Sequence, residues 1–139
     1  NYSNTLGNAS YITADGAIDG PVRVGIFAAN GSNSGRVTSG ASYYGIMEMG
    51  GNLLERTVSV GNANGRVFNG THGNGALTAN GEPDGNTWPT STTADGSGFR
   101  GSSFYTEATA LRVSDRTIAV GSGPTGFEFY GGRGVRSAQ

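Results

Sequence analysis

The sequence contains no cysteine and only one histidine, His72. Without cysteine the chain has no disulfide framework, no thiol nucleophile and no thiolate metal site. A single histidine also makes histidine metal triads, and Ser-His-Asp hydrolysis supported by a second histidine, difficult to assemble. His72 lies in the turn-rich run NGTHGNG, where a histidine is more often a surface loop residue than a base. Carboxylate pairs for glycosidase chemistry are possible in principle, but no spacing favours any pair. We therefore assign no catalytic residue from the composition.

Lysine is missing as well, since all nine basic residues are arginines. A guanidinium group is a planar fork of donors, which suits it to joining loops through backbone carbonyls and carboxylates. The net charge of −1 argues against nucleic-acid binding, which needs a basic surface. No apolar run approaches the length of a membrane span, so we expect no membrane insertion.

Apolar residues are scarce at 35%, whereas glycine contributes 26 of the 139 residues. The buried apolar area must therefore be small, and glycine adds to the backbone entropy lost on folding. We expect one loop-rich domain, 1–139, which is either a whole domain or the C-terminal part of a longer chain. A metal ion or a partner would add stability to such a domain.

Short strands are the only regular elements that the apolar pattern predicts. Residues 22–28 alternate as a strand does, and 43–60 divides at Gly50-Gly51 into two strands. Further strands are predicted around residues 99–104, 110–113, 127–130 and 134–136. Between them, 61–97 is almost entirely turn-forming, and Phe68 and Trp88 are its main anchors. No segment predicts a helix.

The C-terminal stretch, residues 98–136, has two kinds of position. Glycines and arginines, among them Arg100, Arg112, Arg116, Arg133 and Arg136, form a frame that we expect to bind backbone carbonyls and carboxylates. Between them lie aromatic and small polar residues without any period. Rigid amphipathic aromatic residues favour binding surfaces, so we expect Tyr105, Phe127 and Phe129 to be exposed, whereas Phe104 suits either core or surface.

Two motifs resemble the formylglycine-generating enzymes and their relatives. They are GIMEMGGNLLER at Gly45–Arg56 and the series RGSSF, LRVSDR and GGRGVR near the C-terminus. The resemblance implies an α+β, C-type lectin-like fold, loop-rich with short antiparallel strands. It does not extend to catalysis, because those enzymes use a cysteine pair, and their ergothioneine-type relatives use an iron site made from several histidines.

A non-enzymatic branch of that fold is more similar: the variable proteins of diversity-generating retroelements. The segments PVRVGIFA, YYGIMEMGGNLLER, RVSDR and GGRGVRSAQ look like versions found in Bacteroidetes and their phages. The resemblance implies a variable-type region at 98–136 that binds a protein or glycan receptor. The protein would be extracellular, as a surface adhesin of a bacterium or a receptor-binding protein of a phage tail, and a homo-oligomer is left open.

The ligand-binding set implied by this resemblance consists of residues that mutagenesis of asparagine codons could supply. It comprises Phe104, Tyr105, Thr106, Thr109, Thr117, Ile118, Val120, Ser122, Thr125, Phe127, Phe129 and Tyr130. Glu107 and Glu128 are not reachable in this way and are treated as fixed.

A calcium site is the one metal site that the resemblance implies. By motif position its ligands would be the carboxylates of Glu48 and Glu55 and the carbonyl groups of Gly51 and Leu53. Oxygen ligands of this kind suit Ca²⁺. The alternative is that Glu55 pairs with an arginine and no ion is bound.

Two other functions remain open at this level. One is a divergent formylglycine-generating-type metalloenzyme, which would need a cleft with converging carboxylates and a transition metal. The other is a structural pilus or capsid decoration module, which would have no exposed aromatic cluster.

Overall fold

A computed structural model of the chain describes residues 7–12, 19–28, 35–71 and 73–133. The lone histidine, His72, the predicted strand at 134–136 and Arg136 lie outside the described residues. The regular elements are β1 (Leu54–Val58), β2 (Ser97–Arg100), β3 (Tyr130–Gly131), α1 (Arg36–Ser39), α2 (Ala63–Arg66) and two short 3-10 helices, Ile26–Ala28 and Ala108–Leu111.

The three strands form one sheet in the order β2-β1-β3. Strand β3 pairs with β1 in parallel, with Leu54 opposite Tyr130 and Glu55 opposite Gly131. The prediction of antiparallel strands is therefore wrong for this pair, because a long stretch of chain separates the two strands and returns β3 in the same direction as β1. An isolated antiparallel bridge joins Leu77 to Pro83.

Three of the predicted strands are absent from the described residues. In 22–28, Gly25 has a φ of 81° and Ile26–Ala28 is a 3-10 helix, closed by Ala28 N–H donating to the Gly25 carbonyl at 2.9 Å. A turn with Gly45 at a φ of 81° replaces the strand expected before Gly50. Ala108–Leu111 is a second 3-10 helix. Alternating apolar residues need a neighbouring strand to make a ladder, and these segments have turns instead.

The described helices are only one turn long. α1 ends at Gly40, which adopts a left-handed φ of 68° and donates its N–H to the Val37 carbonyl at 3.2 Å. A Cβ atom at position 40 would lie 2.4 Å from the Asn8 carbonyl oxygen. Both the left-handed φ and this close contact therefore require glycine at position 40. Across the described ranges, no helix is long and apolar enough to cross a bilayer.

The chain divides into two compact units, each made of three separate segments. The first unit contains Asn1–Glu55, Gly101–Asp115 and Glu128–Gly131; the second contains Arg56–Arg100, Arg116–Phe127 and Gly132–Gln139. Among the described hydrophobic residues, Leu54 and Phe104 are buried in the first unit, and Ala94 and Phe99 in the second. The architecture is thus a small mixed α/β domain, consistent with α+β, whose apolar cores are as small as the composition predicts.

Candidate functional site

The loop that follows β2 is fixed by hydroxyl groups. Ser102 and Ser103 are completely buried, and both bond to Thr106. The Thr106 hydroxyl donates to the Ser103 carbonyl at 3.1 Å and accepts the Ser103 N–H at 2.9 Å, while its carbonyl accepts the Ile12 N–H at 3.0 Å. Serine and threonine can replace ladder partners for the backbone in this way. The loop therefore has an internal polar network in place of an apolar core.

Asn52 is hydrogen-bonded to the same loop through Phe104. Its side chain pairs with the Val22 backbone, accepting the N–H at 2.9 Å and donating to the carbonyl at 3.0 Å. Its own N–H donates to the Ser10 carbonyl at 2.8 Å, and its carbonyl accepts the Phe104 N–H at 2.8 Å. Asn52 is buried and has a left-handed φ of 66°, which asparagine tolerates better than most residues. One residue thus connects the stretches around Ser10, Val22 and Phe104 in the first unit.

An aromatic cluster lies beside this fixed loop. The ring of Tyr105, which is 58% exposed, stacks on Phe129 with centroids 5.8 Å apart and planes 8° from parallel. Phe129 in turn meets Tyr130 edge-on, with centroids 4.9 Å apart. Such pairs add about 0.5–1.5 kcal/mol beyond the burial of their area. The exposed ring of Tyr105 is therefore held in one orientation by its neighbours.

Two residues of the predicted ligand-binding set face the interior of the first unit. Phe104 is only 5% exposed, so of its two possible roles it takes the core one. Thr106 is half-buried with its hydroxyl committed to the serine network. The turn at 101–106 has no strand period: residues 102–104 are buried in succession, Tyr105 is exposed, and Thr106 is half-buried. Of the other members in this unit, Thr109 is exposed, and Phe129 and Tyr130 are half-buried.

The remaining predicted residues belong to the second unit. Thr117, Val120, Ser122, Thr125 and Phe127 are exposed, and Ile118 is half-buried. Three of them, Thr117, Ile118 and Val120, lie in the turn 117–120, which is bonded to β2 because the Ile118 carbonyl accepts the Phe99 N–H at 3.0 Å. Five of the six side chains are therefore exposed, and the turn that carries the first three of the six is bonded to the sheet.

Arg56 is the arginine whose loop contacts are clearest. One guanidinium nitrogen donates to Ser97 Oγ at 2.8 Å and another to the Gly123 carbonyl at 2.9 Å, and the guanidinium lies 4.5 Å from the Phe99 ring centroid. This is the loop-joining role that the sequence suggests for the arginines, and here an arginine from β1 performs it. In the frame itself, Arg100 is half-buried, whereas Arg112, Arg116 and Arg133 are exposed.

The four residues of the expected calcium site lie in and just after a tight loop of the first unit. Glu48 is buried with a φ of 58°, and Gly51 is buried with a φ of 85°. Leu53 and Glu55 are half-buried, with Glu55 in β1. Within the described ranges, no three or more His, Cys, Asp or Glu side chains are grouped as a metal site requires.

We compared the chain with known proteins. No family model, curated protein or solved structure matches it. The family resemblance therefore stays a prediction carried by the sequence motifs.

The second unit contains a cleft that sequence reasoning missed. Its volume is about 620 Å³. It is lined by Arg56, Thr57, Val58, Glu82, Pro83, Trp88, Pro89, Thr90, Ser91, Ala94, Ser97, Pro124 and Arg133. Trp88 was expected to be a loop anchor, and it does pack on Phe68 with centroids 4.7 Å apart. A tryptophan between turn residues and next to Pro89 was the one signal in the sequence that could have indicated a cleft wall.

The loop that forms one wall of the cleft is closed by Glu82. Both of its carboxylate oxygens accept the Ser91 N–H, at 3.1 and 3.0 Å, and Oε1 also accepts the Ser91 hydroxyl at 2.5 Å. The hydroxyl contact, followed by the backbone contact, holds the pKa of the Glu82 carboxyl below its usual range. Glu82 is therefore ionised at neutral pH.

Proposed function

We propose that the protein is a non-enzymatic binding protein that displays side chains of its C-terminal stretch to a protein or glycan receptor. In this proposal it acts outside the cell, on a bacterial surface or at the tip of a phage tail. The contacting residues would be the outward members of the predicted set, with Tyr105 and Phe127 as the main aromatic contacts.

The observation that carries the proposal is the environment of Tyr105. The three residues before it are buried and the next is tied to the serine network, yet its own ring is 58% exposed and stacked on Phe129. Folding alone gives no reason to expose a large aromatic side chain on so well-fixed a loop. A tyrosine held in this manner offers a wide, amphipathic contact area and loses little rotamer freedom on binding.

The second unit supports the same proposal independently. Phe127 is 48% exposed and Val120 is 50% exposed, and small polar residues surround them in the sequence. The turn that carries Val120 is bonded to β2, because the Ile118 carbonyl accepts the Phe99 N–H at 3.0 Å. Side chains can change at such positions without loss of the contacts that hold the loop, which is what a diversified surface needs.

A pair of libraries tests the proposal. In the first, Tyr105, Thr109, Thr117, Val120, Ser122, Thr125 and Phe127 are randomised together; in the second, Phe104 and Thr106 are randomised. We expect most members of the first library to melt within a few degrees of the parent, because exposed positions usually change stability by less than about 0.5 kcal/mol each. Members of the second library should mostly fail to fold, since a Phe-to-small change in a core costs about 3–5 kcal/mol.

The binding arm uses the first library, selected on whole bacterial cells. Selected clones should bind different cell-surface receptors while keeping the parent's melting temperature. Widespread unfolding in the first library, or folded clones that never acquire binding, would contradict the display proposal.

We also propose that the loop containing Glu48 binds Ca²⁺, with the Glu48 and Glu55 carboxylates and the Gly51 and Leu53 carbonyl groups as ligands. The donor chemistry fits, because all four groups offer the hard oxygen atoms that calcium prefers. The burial of Glu48 is consistent with the proposal, because buried carboxylates in proteins are paired or coordinate a metal.

Calcium removal tests this site. Ca²⁺ at a hundred times its Kd would add about 2.7 kcal/mol to the free energy of unfolding, so we expect EDTA to lower the melting temperature by several degrees. Glu48→Gln should abolish that difference. Glu107→Gln, at an exposed position of the same unit, should preserve it. Equal melting temperatures with and without chelator would show that no calcium is bound.

A further inference from the structure

The cleft of the second unit has a rigid apolar wall. It is lined by the indole of Trp88 and by three prolines, Pro83, Pro89 and Pro124. Trp88 is supported by Phe68 at 4.7 Å, and the proline rings have little conformational freedom to lose. Its volume of about 620 Å³ lies within the usual range of small-ligand clefts, roughly 300–1,000 Å³. The wall is suited to the flat apolar face of a ring compound.

The charged groups of the cleft favour an anion. Two guanidinium groups, of Arg56 and Arg133, line it, against the single carboxylate of Glu82. The Glu82 carboxylate is engaged by the Ser91 N–H and hydroxyl. Arg56 is oriented by Ser97 and by the Gly123 carbonyl, so its positive charge is fixed beside the cleft. A ligand with one carboxylate would neutralise the excess positive charge of the cleft. The guanidinium group also has the geometry to bind a carboxylate through two hydrogen bonds.

Hydroxyl groups complete the lining. Thr57 and Thr90 line the cleft and carry side-chain hydroxyls. Their contacts with protein groups are long, 3.5 Å from Thr57 Oγ1 to the Gly98 carbonyl and 3.3 Å between the hydroxyls of Thr90 and Thr93. Hydroxyls in such loose contacts can exchange them for shorter bonds to a polar ligand. A ligand with several hydroxyl groups is thereby favoured over a purely aromatic acid.

We propose that this cleft binds a saccharide residue that carries a carboxylate, a hexuronate unit of an acidic polysaccharide. The C–H face of the sugar packs on Trp88 and the prolines, its carboxylate meets the arginine side, and its hydroxyls bond to the threonines. None of the lining residues belongs to the predicted ligand-binding set, so this second site stands whether or not the displayed side chains bind a receptor.

The single tryptophan of the chain makes the test direct. Purified protein is titrated with D-glucuronate, and with D-glucose and benzoate at equal ionic strength, while the emission of Trp88 is recorded. We expect a saturable change with glucuronate, at least tenfold weaker binding of glucose because it lacks the carboxylate, and at least tenfold weaker binding of benzoate because it lacks the hydroxyls.

Two arginine variants provide the matched comparison. Arg133→Gln removes a cation of the cleft and should weaken glucuronate binding about tenfold, which is the usual scale for a charge-assisted contact. Arg112→Gln removes an exposed arginine that does not line the cleft and should leave binding unchanged. The proposal is overturned by any of three results: no saturable change with glucuronate, equal binding of glucose or benzoate, or equal losses in both variants. The sugar comparison holds even if the Arg133 variant fails to fold.

Discussion

Replacing Gly98 by alanine is expected to lower the free energy of unfolding by about 3 kcal/mol or more. A Cβ atom at this position in β2 would lie 2.0 Å from the Ala119 carbonyl oxygen and 2.6 Å from its carbon. The neighbouring Phe99 N–H binds the Ile118 carbonyl at 3.0 Å, so the two backbones cannot separate without losing that bond. Gly98 has no positive φ, and the whole cost therefore comes from contact.

Gly126→Ala is the matched control for this prediction. Gly126 also lacks a positive φ, and a Cβ atom there would meet nothing within 4 Å. We expect a change below about 1 kcal/mol, with stabilisation as the favoured sign, because alanine restricts the unfolded chain. Urea unfolding followed by Trp88 emission measures both variants, since all three positions lie in the second unit. Equal stabilities of the two variants would mean that the 116–121 turns are not anchored closely on β2.

Asn52→Asp is expected to destabilise the first unit by about 2–4 kcal/mol at neutral pH. The new carboxylate still accepts the Val22 N–H, but it places an oxygen against the Val22 carbonyl, where the amide now donates at 3.0 Å. Because position 52 is only 5% exposed, water cannot compensate for the lost donor. Two acceptors then face each other inside the protein.

The pH dependence of this variant gives the prediction a sharper form. Burial and the opposing carbonyl raise the folded-state pKa of the new carboxyl above its unfolded value of about 3.9. The folded state then binds the proton more tightly than the unfolded state does. The loss of unfolding free energy in the variant is therefore largest above the folded-state pKa, and it decreases as the pH falls through that value. Below the unfolded value the protonated group donates to Val22, and the variant approaches the parent.

Asn62→Asp is the control for the second prediction. Asn62 uses its Oδ1 to accept the Asn64 N–H at 2.8 Å at the start of α2. Aspartate caps helices in the same manner, so we expect an unchanged free energy of unfolding. Denaturant unfolding of both variants between acid and neutral pH makes the comparison. A stability of Asn52→Asp that equals the parent's at neutral pH would refute the role assigned to Asn52.

The placement of the short elements could be predicted only in part. Strand β1 was expected, because the segment after Gly50-Gly51 contains the run TVSV at 57–60, whose threonine and valines favour strands. The parallel pairing with β3 was not, since register between distant segments depends on how the chain returns and not on local composition. Residues 22–28 were predicted as a strand from their alternation of apolar residues, but a turn at Gly25 and a 3-10 helix take its place.

The candidate site divides in the same way. Exposure of Tyr105, Phe127 and Phe129 was expected from their lack of alternation among small polar residues. Tyr105 and Phe127 are exposed, whereas the prediction is wrong for Phe129, which is half-buried because it packs against Tyr105 and Tyr130. Neighbouring residues in the sequence do not predict that Phe104 is buried or that the Thr106 hydroxyl bonds to Ser103. The motif GIMEMGGNLLER sets Asn52 apart from the other asparagines, but it does not reveal the four contacts that join Asn52 to Ser10, Val22 and Phe104.

The sequence by itself determined the scarcity of apolar residues, the abundance of glycine and the absence of cysteine and lysine, and hence small cores held together by hydrogen bonds and arginine. Only the tertiary structure decided which neighbouring side chains face inward, and that Trp88, three prolines and two arginines enclose one cleft. The physical reason is that a strand or helix repeats its facing residues with a fixed period. A loop built on turns has no such period, so each side chain's direction depends on contacts with distant segments.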